Sequence, residues 1–171
     1  DETVLLAPGA QHPNTRAKSG GNTTHAYHFG DGPAVTYTTY KTEYATDTTG
    51  ASSVATAPTN YERRNHKVIG NQTDAYLFGS SNYNLGKTYY DKFTYSTDTF
   101  ATSPFPKAAP TPTNKNYQSR AAALGNQTHG YLTDGEPNSS EIWKMLYSTD
   151  TIDSAPSANT QSPASNRRYC A

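Results

Sequence analysis

Apolar residues in this chain come in short runs separated by polar stretches rich in Pro, Gly and Ser, and the runs alternate at period two. In 141–147, Ile142, Lys144 and Leu146 fall on one side of an extended segment, and Trp143, Met145 and Tyr147 on the other. Both sides are partly apolar, which is the pattern of a strand in a sheet stacked between neighbouring sheets. The run 89–95, also rich in Tyr, reads the same way. Lys67-Val68-Ile69 and Ala75-Tyr76-Leu77-Phe78 are shorter strand-like runs, and Gly70-Asn71-Gln72-Thr73 between them reads as a hairpin turn, with Gly and Asn tolerating positive φ. The run 121–124 favours helix by propensity, but four residues between Arg120 and Gly125 are too few for one, so a strand is predicted.

These segments recur. Gly125-Asn126-Gln127-Thr128-His129-Gly130-Tyr131 nearly repeats Gly70-Asn71-Gln72-Thr73-Asp74-Ala75-Tyr76, and Gly21-Asn22-Thr23-Thr24-His25-Ala26-Tyr27 is a looser copy. A second phrase keeps step with the first: Tyr44-Ala45-Thr46-Asp47-Thr48, Tyr95-Ser96-Thr97-Asp98-Thr99 and Tyr147-Ser148-Thr149-Asp150-Thr151. Two phrases sharing a period of about 50 residues define an internal repeat. The approximate units are 1–46, 47–97 and 98–149, with a partial fourth at 150–171, all within one array. Pro, Ala and Ser fill 50–60, 101–116 and 154–165, which read as loops, each leading to an arginine: Arg63 or Arg64, Arg120, and Arg167 or Arg168.

Composition changes the picture in one respect. A hydrophobic fraction of 33% and a mean hydropathy of −0.86 raise the question of disorder. A charged fraction of 16%, zero net charge and 14 Tyr argue for a folded chain, because Tyr buries a large ring while keeping its hydroxyl wet. Thin cores of Tyr, Thr and Val suit sheets, so an all-β protein is predicted. Zero net charge gives no reason to expect nucleic acid as a partner. No apolar run approaches the roughly 20 residues that span a bilayer as a helix, so no membrane insertion is predicted. Low charge, abundant Thr, Ser and Asn, and a start at Asp1 point to an extracellular or surface setting.

Candidate chemistry is sparse. Asn22, Asn71, Asn126 and Asn138 lie in Asn-x-Ser/Thr sequons and are candidate N-glycosylation sites, three of them at the equivalent turn. The same string also serves turn geometry. His12, His25, His28, His66 and His129 form no metal-ligand spacing, and no cofactor is predicted. Tyr44, Asp47, Tyr95, Asp98, Tyr147 and Asp150, with Gly70 and Gly125, are structural residues that define the repeat; the aspartates are expected to accept backbone amides in a turn. No nucleophile elbow, P-loop or dinucleotide fingerprint is present, so no catalytic residue is assigned. The single cysteine, Cys170, leaves a thiol for an intermolecular bridge.

The order arginine, strand, hairpin turn, strand ending in glycine, variable loop, then Tyr-Asp and a later aromatic resembles a kelch repeat. The best copy runs from Arg64 through Phe93, with Tyr76-Leu77-Phe78-Gly79 at the glycine-doublet position, Tyr90-Asp91 at the Tyr-Asp position, and Tyr95 where the family has Trp. The doublet is Gly79-Ser80, Gly30-Asp31-Gly32 or Asp134-Gly135 in the three copies, a departure from the family pattern. The resemblance implies four-stranded blades of a galactose-oxidase-type β-propeller. Adjacent Tyr169-Cys170, without supporting histidines, does not reproduce that enzyme's copper site. Propellers close with about four to eight blades. Three copies and a fraction are therefore expected to be completed by oligomerisation or by further sequence. The function expected is a non-enzymatic binding or assembly module, recognising protein or glycan through variable loops such as 80–88 and 134–140. The alternatives are a filament or surface-layer subunit, and a fragment of a propeller enzyme with its active site elsewhere.

Overall fold

The computed structural model describes residues 18–30, 38–50, 54–56, 66–78, 89–102, 107–108, 123–133 and 142–152. Those residues are all-β, with no helix among them. They form three similar antiparallel sheets, one per repeat.

The first sheet holds β1 (Lys18–Gly21), β2 (His25–Phe29), β3 (Thr38–Glu43), β4 (Thr48–Thr49) and β5 (Ala55–Thr56). The second holds β6 (Lys67–Gly70), β7 (Asp74–Phe78), β8 (Tyr89–Thr94), β9 (Thr99–Phe100) and β10 (Lys107–Ala108). The third holds β11 (Ala123–Gly125), β12 (His129–Thr133), β13 (Ile142–Leu146) and β14 (Thr151–Ile152). Each is a meander in chain order, and corresponding residues take the same register: Tyr27 faces Lys41, Tyr76 faces Lys92, and Tyr131 faces Lys144. The result is a blade-like β-repeat fold in which β1, β6 and β11 run side by side.

The fourth strand of the first two sheets is where the sequence misleads. In the first it is split: β4 pairs with Thr42 and Glu43, while β5 pairs with Thr38 and Thr39. Gly50 N donates to Lys41 O and Val54 N to Thr39 O, so each of the two pieces is tied to β3. In the second sheet β9 and β10 share β8 in the same way. Pieces of two residues show no periodicity, so the stretches 50–60 and 101–116 read as loop although part of each pairs with the sheet.

Period-two alternation places the core. From the second sheet, Ala75, Leu77, Phe93, Tyr95 and Phe100 meet Tyr27 and Phe29 of the first. From its other face, Ile69, Tyr76, Phe78 and Tyr90 meet Leu132, Trp143, Met145 and Tyr147 of the third. Each fully buried aromatic or large aliphatic side chain is worth about 1.5–3 kcal/mol. Ring pairs at specific geometry add about 0.5–1.5 kcal/mol. Tyr27 stacks on Tyr95 at 4.8 Å, and Tyr76 on Tyr147 at 5.4 Å. A low hydrophobic fraction is thus sufficient, because the few apolar side chains are concentrated at two junctions.

Candidate functional site

Two recurring turns lie at the same end of the sheets. At the first, between β1 and β2 and its counterparts, the asparagine side chain organises the chain. Asn71 Oδ1 accepts from Thr73 N (2.8 Å), Thr73 Oγ1 (2.8 Å) and Asp74 N (2.9 Å). Asn22 and Asn126 do the same with Thr24 and His25, and with Thr128 and His129. Three acceptor contacts on one oxygen explain why Asn recurs here. The glycines have a different role from the one read in the sequence. Among the described residues, those at positive φ outside glycine are Asp47, Asp98 and Asp150. Gly70 is required by close approach, because a Cβ there would run into the carbonyl oxygen of Asp74. At Gly125 it would meet the Tyr147 hydroxyl at 2.6 Å.

The turns also touch one another across sheets. Gln72 Oε1 accepts from Thr23 N at 2.8 Å, and Gln127 Oε1 from Gln72 N at 3.2 Å. Thr24 Oγ1 donates to Asn22, so the 2.7 Å contact with His25 is donated by His25 Nδ1, because a hydroxyl has one proton. The same logic puts the hydrogen on Nδ1 of His129, 2.8 Å from Thr128 Oγ1.

The second turn carries the aspartates, at φ of 49°, 54° and 52°. The carboxylates of Asp98 and Asp150 reach across to the preceding sheet. Asp98 accepts from the Tyr27 hydroxyl at 2.7 Å and from Lys41 Nζ at 2.8 Å. Asp150 accepts from the Tyr76 hydroxyl and from Lys92 Nζ at 2.9 Å, while its carbonyl accepts from the Tyr90 hydroxyl at 2.8 Å. Lys92 also lies 3.4 Å from Asp74 of its own sheet.

Electrostatics follow from this geometry. Burial opposes charge on Asp98, but the Lys41 and Tyr27 hydrogen bonds together with the Lys41 charge hold its carboxyl below the usual range. Burial, then the Asp98 hydrogen bond, pushes the Tyr27 phenol well up; burial and Asp150 do the same to Tyr76. Burial and the Asp150 charge push Tyr90 up to about 12, and burial alone takes Tyr147 to about 12.

Sequence reasoning found the aspartates and missed their partners. The signal was present: Lys41, Lys92 and Lys144 each stand three residues before the tyrosine of the recurring phrase. Tyr27, Tyr76 and Tyr131 each close the other one. Neither pairing is visible without knowing that consecutive repeats lie face to face.

A groove of about 430 Å³ opens between the second and third sheets, lined by Asn71, Asp74, Gln127, His129, Tyr147 and neighbours. Its asparagine and threonine contacts are the turn contacts just described. Among the described residues no three His, Cys, Asp or Glu side chains gather in a way that could hold a metal. No helix among them is long and apolar enough to cross a membrane. Asn138, Cys170, the arginines of the repeat and the loops 80–88 and 134–140 lie outside the described residues.

No protein-family model matches the sequence, and no curated protein matches it. A solved structure titled "Structure of YjhT" is similar over 82% of this chain, with a TM-score of 0.57 and 13% sequence identity. At that identity the likeness is one of fold, and this chain spans 50% of that chain's length.

Proposed function

We propose that this protein is a non-enzymatic binding or assembly module built from kelch-like propeller blades, presenting variable loops such as 80–88 and 134–140 to a protein or glycan. The observation that carries this reading is where the recurring polar side chains go. Asp98 and Asp150 tie one sheet to the next, and Asn22, Asn71 and Asn126 organise turns. Residues recurring in every copy thus hold a scaffold, and what varies between copies is loop. Repeat scaffolds of this kind bind through such loops.

An extracellular or surface setting goes with this reading, as do glycans on the sequons. At Asn22, Asn71 and Asn126 the Thr hydroxyl of the sequon bonds the Asn side chain at about 3 Å. Cys170 remains a candidate intermolecular thiol. The test is a binding screen of the intact chain on glycan and protein arrays, repeated with 80–88 and 134–140 replaced by Gly-Ser of equal length. Saturable binding lost in the replacement, with an unchanged thermal melt, supports the reading. Binding that survives both replacements overturns the loop assignment, and turnover of a bound glycan overturns the non-enzymatic one.

A further inference from the structure

The polar link between sheets is directional, and one half of it is left over at each end of the array. Each junction takes a Tyr–Lys pair from one sheet and the turn aspartate of the next: Tyr27 and Lys41 with Asp98, then Tyr76 and Lys92 with Asp150. The third sheet carries the same cross-strand pair, Tyr131 facing Lys144, with no following aspartate among the described residues. The first sheet carries the same turn aspartate, Asp47 at φ 49°, with no preceding Tyr–Lys pair among them.

Apolar exposure tells the same story independently. Tyr95 and Tyr147, which stack on the preceding sheet's tyrosine, are 4% and 6% exposed. Their counterpart Tyr44 is 49% exposed. Ile69, facing the third sheet, is 4% exposed, and its counterpart Leu124 is 65% exposed. Among the described residues, Tyr44 and Leu124 are the large hydrophobic side chains left in solvent, one in the first sheet and one in the third.

From these two observations we infer that the outer face of the third sheet (Leu124, Tyr131, Lys144) docks the Tyr44–Asp47 turn of a second copy of this chain, head to tail. Asp47 accepts from the Tyr131 hydroxyl and Lys144 Nζ, and the Tyr44 ring lies over Tyr131. The charges are complementary, and one chain carries both halves. A head-to-tail contact made at both ends closes two copies into a ring of six sheets.

The new junction differs from the internal two in ways that set its strength. Thr42 and Thr49 bond each other at 2.8 Å on the first sheet's outer face, where the second has Phe93 and Phe100. Thr23 stands where Gln72 and Gln127 supply the turn-to-turn bond. With less apolar burial, this contact depends more on its charged pair than the internal ones do.

The inference rests on the stacked-blade scaffold of the proposed function, but it fails separately from ligand binding. The experiment is light scattering of the intact chain, alone and as the charge reversals Asp47→Lys and Lys144→Asp. The wild-type chain is expected at twice 18.5 kDa. Each reversal alone places like charges at both contacts and is expected to weaken association about a hundredfold. An equimolar mixture of the two restores opposite charges at both contacts and is expected to return to the dimer. A cooperative thermal melt of each variant, well above the assay temperature, separates loss of contact from loss of fold. A wild-type monomer overturns the inference, as does association that the reversals leave unchanged or that mixing fails to restore. A monomer that still binds glycan or protein overturns the contact and leaves the binding module standing.

Discussion

The second sheet and the outer two are built from the same phrases, yet the same residue types do different work in them. Tyr95 is buried on the ring of Tyr27, while Tyr44, in the same phrase, stands in solvent. Asp150 anchors the third sheet through Tyr76 and Lys92, while Asp47, at the same turn conformation, makes no such link among the described residues. The second sheet has a neighbour on each side and contributes to both apolar clusters; the first and third each contribute to one. A repeated side chain therefore has no fixed energetic value. Its value depends on whether another repeat stands next to it, as expected of arrays whose stability is a sum over units and nearest-neighbour interfaces.

The largest test of this contrast is Tyr76→Ala against Tyr131→Ala. Tyr76 is fully buried between sheets, so its truncation is expected to cost about 3–5 kcal/mol in chemical denaturation. Among the described residues Tyr131 packs on no sheet beyond its own, and a loss under about 1 kcal/mol is expected when the chain is dilute. Equal losses at the two positions would mean that the outer face is as tightly packed as the inner one.

The aspartates provide a smaller effect. Asp150→Ala places a Cβ residue without a turn-forming side chain at φ 52° and leaves the Tyr76 hydroxyl and Lys92 without their acceptor, for about 2–4 kcal/mol. Asp47→Ala carries the backbone part alone, about 1–2 kcal/mol. Asp150→Gly separates the two terms, because glycine accepts positive φ and cannot replace the carboxylate. If Asp150→Gly restored wild-type stability, the link between sheets would contribute nothing measurable.

The smallest effects lie in pH. Tyr90 and Tyr147 keep their protons to about 12 in the fold, against an ordinary 10.0. Their folded pKa is raised, so the stability they contribute is complete below about pH 10 and is lost as pH climbs through 12. Phenolate absorbance should therefore show Tyr90 and Tyr147 ionising only together with unfolding. The acid end has the opposite sign. Asp98 is lowered from 3.8, so its contribution is present above that pH and fades as pH falls below it. Asp98→Asn should flatten that acid limb.

Much of the fold is legible in the chain. Repeated phrases determine the number of sheets, and period-two alternation at Ala75–Phe78 and 141–147 determines strands with two apolar faces. The turn strings locate the hairpins because Asn, Gly and Asp have local conformational preferences that need no neighbour. Three things were decided by tertiary structure. The split fourth strands exist only because β3 and β8 offer an edge to pair with, so residues without periodicity become strand. The glycines at the first turn answer to a facing carbonyl, which local preference does not reveal. The partners of Asp98 and Asp150 lie 57 to 74 residues away in the chain, and stacking of sheets brings them within hydrogen-bond reach. Sequence determines what each unit is, because alternation and turn chemistry act over a few residues. Burial and charge pairing act through space, so only the packed array decides which tyrosine is core and which aspartate is a link.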